Sequence, residues 1–579
     1  MSLETDKPKR RYQKVSKQKS EGATYTPKLL ADFVANEIVK AADFIPSKKV
    51  LNIFDPAVGD GQLLDSLLEQ LDNKPGLDIH VYGFETNKDA LNNATTTLSA
   101  KHPKVTLHLQ LDDFLSHVLD NYGAHDQIGL FGGNSPLQYD LIIANPPYVR
   151  TQILGADKAK QLANEFGLVG RVDLYYAFII GMSKVLQPKG VAGFIVSNRF
   201  MTTKSGSAVR KAVLERYNLL KVWDFGDTKL FEAAVLPAVL LAHGINGTPP
   251  EEPIFTSIYQ SKETTNVTAA NPIEALATDG VVQLDDGRIF TVQHGTLDNG
   301  TSQDGVWRIA TQRNDDWLDT VKKNTWKTFR DIGKIRVGVK TTADKIFIRS
   351  DWDEMTGGNL PELLRPLITH HVARRFKALP PKKDTQILYP HEIANGVRRS
   401  VDITKYPKSE KYLLEHRAKL ESREYVIEAG RKWYEIWVPQ DPGAWDCPKL
   451  VFRDITEKPT FWIDEAGAVV NGDCYWLISE EGNADLIWLA AAVANSTFIE
   501  SFYDYSFCNK LYAGRRRFMS QYVEKFPLPN PKDAMGMQII DLAKRIYELT
   551  GNEDTSELET TLDKLVWQAF GFVVKEAAG

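Results

Sequence analysis

The sequence predicts an α/β fold, a doubly wound and mostly parallel sheet, followed by a second domain of mixed strands and helices. Short apolar runs alternate with amphipathic helical patterns along the first part of the chain, which is the order that such a sheet requires. From about Asn246 the residue composition changes, and turn-forming residues become frequent. With 579 residues, 43% of them hydrophobic and 25% charged, the chain has the length and composition of a globular protein of two or more domains.

The predicted elements follow one another as strand and helix. Thr26 and Pro27 precede the first helical pattern, 28–40, and proline suits the first turn of a helix. The runs predicted as strands are 50–54, 79–84, 105–109, 141–144, 190–197 and 236–242, and the helices between them include 62–71, 175–186 and 207–217. Because ligands of such sheets bind at the carboxyl ends of the strands, the residues that follow these strands are the candidates for a site.

Four segments are expected along the chain. Residues 1–20 form a basic flexible tail, 21–245 the first domain, 246–304 a linker, and 305–579 a second domain that ends in two helical patterns, 537–549 and 556–570. The three cysteines are odd in number and widely spaced, which excludes a disulfide framework and favours a reducing cytoplasm. No stretch predicts a signal peptide or a membrane span.

Charge is distributed unevenly around a net value of −5. Residues 1–20 carry seven bases against two acids, residues 55–145 carry 13 acids against four bases, and residues 363–432 carry 16 bases against eight acids. This asymmetry is compatible with a small-ligand site in the first domain and a phosphate-binding surface in the second. Unevenly scattered surface charge is the alternative.

A glycine-containing loop follows the first predicted strand and opens a helix. In Asp55-Pro56-Ala57-Val58-Gly59-Asp60-Gly61 the glycines allow a tight turn and a close approach of the backbone to a ligand. The spacing is wrong for a dinucleotide fingerprint. Glu85 ends the next strand, where a carboxylate can accept hydrogen bonds from ribose hydroxyls. Together these residues indicate a nucleoside ligand, with a plain turn and a surface glutamate as the alternative.

Asn145-Pro146-Pro147-Tyr148 directly follows the strand 141–144, and its prolines fix the backbone there. The exocyclic amine of adenine is a poor nucleophile because its lone pair is delocalised into the ring. The side-chain oxygen of Asn145 and the carbonyl oxygen of Pro146 can accept both amino hydrogens and localise that pair. Tyr148 offers a face on which a planar base can stack. A proline-terminated strand with a core tyrosine is the alternative.

With these motifs in this order, the chain resembles the gamma class of DNA adenine-N6 methyltransferases of type II restriction-modification systems, the TaqI-methylase-like family. The resemblance implies a Rossmann-like methyltransferase domain, S-adenosylmethionine as cofactor, and methylation of N6 of an adenine flipped out of duplex DNA. It assigns catalysis to Asn145, Pro146, Pro147 and Tyr148, stacking on the target base to Tyr148 and Phe231, and cofactor binding to Thr26, Asp55, Pro56, Ala57, Gly59, Gly61, Glu85, Asp113 and Phe114.

Some details of the resemblance leave alternatives open. Asp60 separates the two loop glycines, and Asp112 lies beside Asp113, so the assignment within that pair of acids can shift by one residue. Phe231 follows a strand, where an aromatic residue also fits a place in the core. The adjacent residues His370 and His371 lack further ligands at metal-binding spacing, so no metal is predicted.

The second domain distinguishes among possible substrates. In the family a DNA target-recognition domain follows the catalytic domain, and stretches 336–342, 364–368 and 512–518 resemble it. The arginines suited to phosphates or guanine edges are Arg374, Arg375, Arg515, Arg516 and Arg517. The resemblance therefore implies double-stranded DNA as partner.

Similar Asn-Pro-Pro-Tyr enzymes methylate RNA bases or protein glutamine, and these substrates stay open as alternatives, as does a DNA-binding module without catalysis. A protein substrate leaves the second domain unexplained, and the intact motif argues against loss of catalysis. About 20 residues precede Thr24, too few for a nuclease domain, so a separate cognate restriction endonuclease is expected. The expected location is the bacterial cytoplasm, with no membrane partner.

Overall fold

The computed structural model describes residues 25–72, 76–122, 137–148, 156–168, 173–231, 236–245, 252–299, 305–380, 383–507 and 515–573. The chain divides into two compact units, the first ending at Thr311 and the second beginning at Gln312. The predicted basic tail, 1–20, lies outside the described residues.

Twelve strands in the described part of the first unit form one sheet. They are β1 Val50–Asp55, β2 Asp78–Glu85, β3 Thr106–Leu111, β4 Tyr139–Ala144, β5 Leu186–Ser197, β6 Tyr217–Asp224, β7 Pro237–Gly244, β8 Ile254–Gln260, β9 Thr268–Ala269, β10 Gly280–Leu284, β11 Ile289–Asp298 and β12 Arg308–Ala310. Their order is β3-β2-β1-β4-β5-β7-β6-β8-β11-β10-β9, with β12 beside β11. The first five strands of this order run parallel, and β7 is antiparallel to β5 and β6. The doubly wound, mostly parallel sheet predicted from the sequence is confirmed.

Helices cover both faces of this sheet. They are α1 Lys28–Ala41, α2 Gln62–Leu71, α3 Lys88–Lys101, α4 Phe114–Tyr122, α5 Ala156–Glu165, α6 Leu174–Val185, α7 Arg199–Thr202, α8 Ser207–Arg216 and α9 Pro272–Ala275. Leu30, Leu64 and Ile53 belong to one apolar core, which joins α1 and α2 to one face of the strands. On the opposite face Phe54 packs on Phe114 with ring centroids 5.4 Å apart, because successive side chains of a strand point to opposite sides.

The segment predicted as a linker, 246–304, is different in the structure, and this corrects the expectation. Its described residues, 252–299, contain β8 to β11, which extend the sheet beyond β6. β8 pairs parallel with β6, from Lys221 opposite Ile254 to Asp224 opposite Ser257. Phe255 and Phe290 are buried, so these strands add apolar contacts to the core. The turn-forming residues between short strands concealed their alternating pattern in the sequence.

The second unit combines small sheets with helices. Its strands are β13 Lys327–Thr328, β14 Arg336–Val337, β15 Ile348–Arg349, β16 Leu364–Ile368, β17 Phe376–Lys377, β18 Gln386–Leu388, β19 His391–Ala394, β20 Val397–Ser400, β21 Lys449–Arg453, β22 Ile455–Thr456, β23 Phe461–Asp464, β24 Val469–Val470, β25 Cys474–Leu477, β26 Arg516–Arg517 and β27 Pro527–Leu528. The larger sheets have the orders β14-β25-β21-β23-β17 and β15-β18-β16-β24, whereas β19 and β20 pair only with each other.

The helices of the second unit are α10 Gln312–Lys323, α11 Phe329–Ile332, α12 Asp344–Phe347, α13 Trp352–Thr356, α14 Pro407–Glu415, α15 Arg417–Glu421, α16 Glu424–Glu428, α17 Ala484–Ala494, α18 Thr497–Phe507, α19 Ser520–Val523, α20 Ala534–Leu549 and α21 Ser556–Ala569. The two C-terminal helices predicted from the sequence are confirmed as α20 and α21. Among the described residues no single helix has the length and apolarity to cross a membrane. The bent pair α17 and α18 meets that test by length and composition alone, and α17 is buried along most of its length.

Candidate active site

The strand order places the candidate residues at one edge of the sheet. β1 lies between β2 and β4. The strand order therefore reverses at β1: β2 and β3 lie on one side of it, and β4 and β5 lie on the other. Phe54 of β1 pairs with Ile142 of β4, and Asp55 and Asn145 follow within a few residues at the carboxyl ends of these strands. This point of reversal is where doubly wound sheets bind their ligands.

Asn145 is held in place by Thr26. The side-chain nitrogen of Asn145 donates a hydrogen bond of 3.0 Å to the hydroxyl oxygen of Thr26, which lies just before α1 and is buried. The side-chain oxygen of Asn145, which is the acceptor of the amide, therefore points away from Thr26. Pro146 is buried and Pro147 half-buried, so the backbone after Asn145 is held by its surroundings as well as by its rings.

Tyr148 has a buried tip and a half-buried ring. Its hydroxyl oxygen is buried and has no hydrogen-bond partner within the described residues. The ring meets Tyr175 edge-on, with centroids 5.9 Å apart and an interplanar angle of 67°. Burial raises the pKa of the Tyr148 hydroxyl far above its ordinary value, so the group is neutral at any physiological pH. Tyr148 is suited to contact through its ring rather than to acid–base chemistry.

The loop between β1 and α2 depends on glycine. Gly59 and Gly61 have φ of +56° and +84°, a region that other residues rarely adopt, and Gly61 lies directly before the first residue of α2. At Gly83, in β2, an added Cβ would lie 2.4 Å from a methyl carbon of Val58. The loop therefore packs closely against the backbone of β2, where a side chain would displace it.

Three carboxylates lie at this loop. Asp55 is fully buried; one of its oxygens accepts from the Ala57 amide at 2.9 Å, and the other has no partner within the described residues. Burial, aided by the negative charges of Glu85 and Asp60, raises the pKa of Asp55 to about 7. The carboxylate oxygens of Glu85 accept from the amides of Gly59 at 2.9 Å and Asn87 at 2.7 Å. The loop is consequently an electronegative site that favours a cation.

Asp113 and Phe114 follow β3 at the same edge of the sheet. The backbone amide of Asp112 donates to the carbonyl oxygen of Glu85 at 3.2 Å, which ties the start of this segment to the end of β2. One carboxylate oxygen of Asp113 accepts from the hydroxyl of Ser116 at 2.8 Å. The Phe114 side chain is buried in the core, so only its backbone can face a ligand. The contact of Asp113 and Phe114 with the cofactor stays a prediction.

Phe231 is placed in the core. Its side chain is only 4% exposed and belongs to the apolar cluster of the first unit, as the alternative interpretation of the sequence expected. Contact with a target base requires this ring to move. The stacking role of Phe231 stays a prediction.

Sequence reasoning missed a buried carboxylate that holds the segment leading to Phe231. Asp224 ends β6 and accepts from the Asn198 side chain at 2.9 Å, the Gly226 amide at 3.0 Å and the Tyr259 hydroxyl at 2.5 Å. Gly226 has φ of +44°. A signal was present, since an acidic residue at the end of an apolar strand and two residues before a glycine marks a turn of this kind.

The predicted DNA-binding arginines divide into two groups. Arg375 donates to the carbonyl oxygen of Asn495 and pairs with Glu559 at 3.1 Å. Arg516 binds both oxygens of Asp504, at 2.9 and 2.8 Å, and Glu500 at 3.0 Å; Arg517 binds Asp454 at 2.9 Å. Arg374 and Arg515 are exposed. The guanidinium groups of Arg375, Arg516 and Arg517 bind carboxylates of their own unit. Contact of the five predicted arginines with phosphates stays a prediction. In sequence a structural arginine and a phosphate-binding one look alike.

No group of three or more metal-binding side chains occurs within the residues that the structure describes. His370 is instead hydrogen-bonded to Asp473 and lies beside His371, with ring centroids 3.9 Å apart.

Two family models match the chain. The Eco57I restriction-modification methylase model matches residues 71–231, and the TaqI-like C-terminal specificity domain model matches residues 395–528. The first range contains Glu85, Asp113 and Asn145, whereas Thr26 and the glycine loop precede it. The described residues of the second range lie within the second unit.

Similar proteins extend the comparison to almost the whole chain. A type II methyltransferase, M.BanIII of Aneurinibacillus aneurinilyticus, is 37% identical over 96% of this chain and 98% of its own length. M.BstVI of Geobacillus stearothermophilus, also a type II methyltransferase, is 22% identical over 88% of this chain and 90% of its own. A solved structure of a nuclease-deletion mutant of the Type ISP restriction-modification enzyme LlaGI, bound to a DNA substrate mimic, has a TM-score of 0.53 at 11% identity and covers 92% of this chain and 47% of that one.

The solved structure supports the fold, and the relative at 37% identity establishes the family. The predicted relation to restriction-modification methylases is confirmed, and S-adenosylmethionine as cofactor agrees with it. The chain belongs to the type II DNA methyltransferases of restriction-modification systems.

Proposed function

We propose that the protein transfers a methyl group from S-adenosylmethionine to N6 of an adenine that has been flipped out of duplex DNA. The observation that supports this most directly is the hydrogen bond from Asn145 to Thr26, because it orients an amide at the carboxyl end of β4. Relatives named as type II methyltransferases supply the reaction class. The geometry of the Asn145 segment supplies the reasons for adenine.

The Asn145 side-chain oxygen and the Pro146 carbonyl oxygen accept the two hydrogens of the adenine amine. Accepting both hydrogens draws the nitrogen toward tetrahedral geometry, so that its lone pair no longer delocalises into the ring. The rigid Pro146-Pro147 backbone holds the two acceptor oxygens in fixed positions before the base binds. Such a site activates the amine without a strong base, in agreement with a neutral Tyr148.

The flipped base stacks on the half-buried ring of Tyr148. Extruding a base costs a few kcal/mol, and stacking on an aromatic side chain returns about 1 to 3 kcal/mol. The edge-on contact with Tyr175 holds the Tyr148 ring in one orientation. Closure of Phe231 from the opposite side is part of the same proposal.

The residues of the glycine loop fit a cationic nucleoside cofactor. Bound S-adenosylmethionine supplies a methyl group on a positively charged sulfur. The negative charges of Asp60 and Glu85, and that of Asp55 at pH values above its raised pKa, favour such a cation near the loop. Glu85 uses one acceptor site of each oxygen for the amides of Gly59 and Asn87. Since a carboxylate has about four such sites, it can also accept from ribose hydroxyls. Thr26 and the backbone around Asp113 complete the proposed contacts.

Duplex DNA is proposed as the substrate, in preference to RNA or protein glutamine, because the second unit matches a specificity domain. We also propose that protection against a separate cognate endonuclease is the purpose of the modification. Neither the target sequence nor the nuclease needs to be known for the test.

The test is transfer of labelled methyl from S-adenosylmethionine to unmethylated bacterial genomic DNA, followed by nucleoside analysis and mapping of the modified positions. We expect N6-methyladenine at one short motif. Asn145→Ala serves as the inactive control for contaminating enzymes. Label on cytosine would overturn the adenine assignment, and label on RNA or protein alone would overturn the DNA substrate.

A further inference from the structure

The second unit carries a two-stranded hairpin that pairs with no other strand of the described residues. β19 and β20 are joined by Asn395 and Gly396, whose φ values of +53° and +73° are those of the tight turn preferred in two-residue hairpins. β19 lies directly before the range that matches the specificity domain, and the turn and β20 lie within that range. Because an isolated ribbon of this kind is marginal by itself, it needs contacts with other parts of its unit.

One face of the hairpin is anchored to its own unit. His391 accepts from the backbone amide of Ile436 at 3.1 Å, and the Arg398 guanidinium donates to the carbonyl oxygen of Gln440 at 3.0 Å. Ile393 lies directly opposite Arg398 and on the same face as His391, because side chains alternate along a strand. The ribbon is therefore held along 436–440.

The opposite face points away from this anchor. It carries Glu392 opposite Arg399 and Ala394 opposite Val397. The Arg399 Nε donates to the Glu392 carboxylate at 2.8 Å, while the two side chains are 59% and 34% exposed. Val397 is 65% exposed, a large value for an apolar residue at the tip of a hairpin. The outward face thus offers one cation, one anion and one apolar contact in a row.

We infer that the outward face of this hairpin enters the major groove of duplex DNA and reads a G·C base pair through Arg399 and Glu392. The inference rests on the proposed DNA substrate. The major groove admits a two-stranded ribbon; arginine donates to the O6 and N7 atoms of guanine, a carboxylate accepts from N4 of cytosine, and apolar side chains contact the methyl group of thymine. Arg399 and Glu392 face the two bases of one pair, and Val397 contacts a neighbouring base.

The charges favour base edges over phosphates. A carboxylate beside Arg399 weakens its attraction to a phosphate, and Glu392 itself is repelled by one. Both groups find partners on a G·C pair. Since an ion pair as exposed as this one contributes little in free protein, exchanging it for base contacts costs little.

The test compares Arg399→Ala and Val397→Asp with Arg330→Ala. Arg330 is a matched control, because it is also exposed and paired with a glutamate, Glu524, at 3.3 Å in the same unit. Each purified full-length variant is checked for an unchanged thermal unfolding curve and then assayed for methyl transfer to DNA, with mapping of the modified sites and measurement of the salt dependence of binding.

We expect Arg399→Ala to lower kcat/KM on the wild-type motif by roughly 10- to 100-fold and to relax the motif at one G·C position, with little change in the salt slope. Val397→Asp should lower kcat/KM as well, and Arg330→Ala should change neither the rate nor the motif.

Two results separate failure of the hairpin inference from failure of the proposed function. If the wild-type protein methylates DNA at a motif and both hairpin variants keep its rate and sequence, the hairpin inference is overturned alone. A lower salt slope with an unchanged motif would also overturn it, since that result identifies a phosphate contact. If the wild-type protein modifies no DNA, the proposed function is overturned, and the hairpin inference with it.

Discussion

The Asn145 side-chain nitrogen donates a hydrogen bond of 3.0 Å to the Thr26 hydroxyl, and this bond joins residues 119 positions apart. Thr26 precedes α1, whereas Asn145 follows β4. Because the side-chain nitrogen of Asn145 is bound to Thr26, the side-chain oxygen is the end of the amide that can accept a hydrogen of the adenine amine. The proposed mechanism depends on this orientation.

Replacement of Thr26 by valine keeps the shape of the side chain and removes the acceptor for Asn145. We expect kcat to fall about 10-fold, since a typical hydrogen bond contributes about 1 kcal/mol and its loss frees the amide to rotate. Thr26→Ser, which retains the hydroxyl, should recover most of the rate. Single-turnover methylation measures both variants, and wild-type kcat in Thr26→Val would show that the bond does not orient the amide.

Asn145→Ala removes one of the two proposed acceptors. Loss of a preorganised group of this kind lowers kcat by about 100- to 1,000-fold. Cofactor affinity, measured by calorimetry, should stay within about twofold, because the loop that binds the cofactor is separate. Asn145→Asp keeps an acceptor oxygen and should retain more activity than alanine; equal rates for the two variants would argue against amine activation by an acceptor.

Asp55 links cofactor affinity and stability to pH. Its pKa is raised from 3.8 to about 7, first by burial and then by Glu85 and Asp60. A raised pKa means that the folded protein binds a proton that the unfolded chain releases, so the contribution of Asp55 to stability falls as pH rises from about 4 to about 7, by up to roughly 4 kcal/mol.

Two measurements check this. Affinity for S-adenosylmethionine should rise as pH increases through about 7, because the cation favours the ionised carboxylate. Asp55→Asn should flatten both the affinity profile and the stability profile, whereas Asp43→Asn, a change at an exposed carboxylate, should leave both as in the wild type. A pH profile of Asp55→Asn identical to that of wild type would contradict the assignment.

Arg516 is expected to stabilise the second unit. Its side chain is 11% exposed and pairs with Asp504 at 2.8 Å and Glu500 at 3.0 Å. Arg516→Ala leaves two carboxylates without their cation, a change that costs about 3 to 5 kcal/mol when the pair is buried. Chemical denaturation measures the loss. A variant as stable as wild type would show that these ion pairs do not stabilise the unit.

Arg374 and Arg515 are expected to contact DNA phosphates, since both are exposed. The double variant Arg374→Ala/Arg515→Ala should weaken DNA binding about equally for all sequences and reduce the salt slope by about 2. Its unfolding free energy should match that of wild type, in contrast to Arg516→Ala. An unchanged salt slope would exclude both residues as phosphate contacts.

The local pattern of the sequence was sufficient for β1 to β5, for β7 and for the motifs of the first unit. The strands around 50–54, 79–84 and 141–144 and the two C-terminal helices lie where periodicity predicts them. The family resemblance was carried by short motifs, Asn145 to Tyr148 above all, that are contiguous in the chain. Such features depend on neighbouring residues, which is why sequence alone reveals them.

Only the tertiary structure decided which distant residues meet. It placed β7 between β5 and β6, joined 252–299 to the sheet, bonded Thr26 to Asn145, and gave Arg375, Arg516 and Arg517 partners within their own unit. Strand pairing and ion pairing bring together residues that are far apart in the chain, and no local pattern specifies the partner. The sequence by itself therefore determined the family and the candidate residues for its chemistry, and the fold decided which side chains meet at the candidate site.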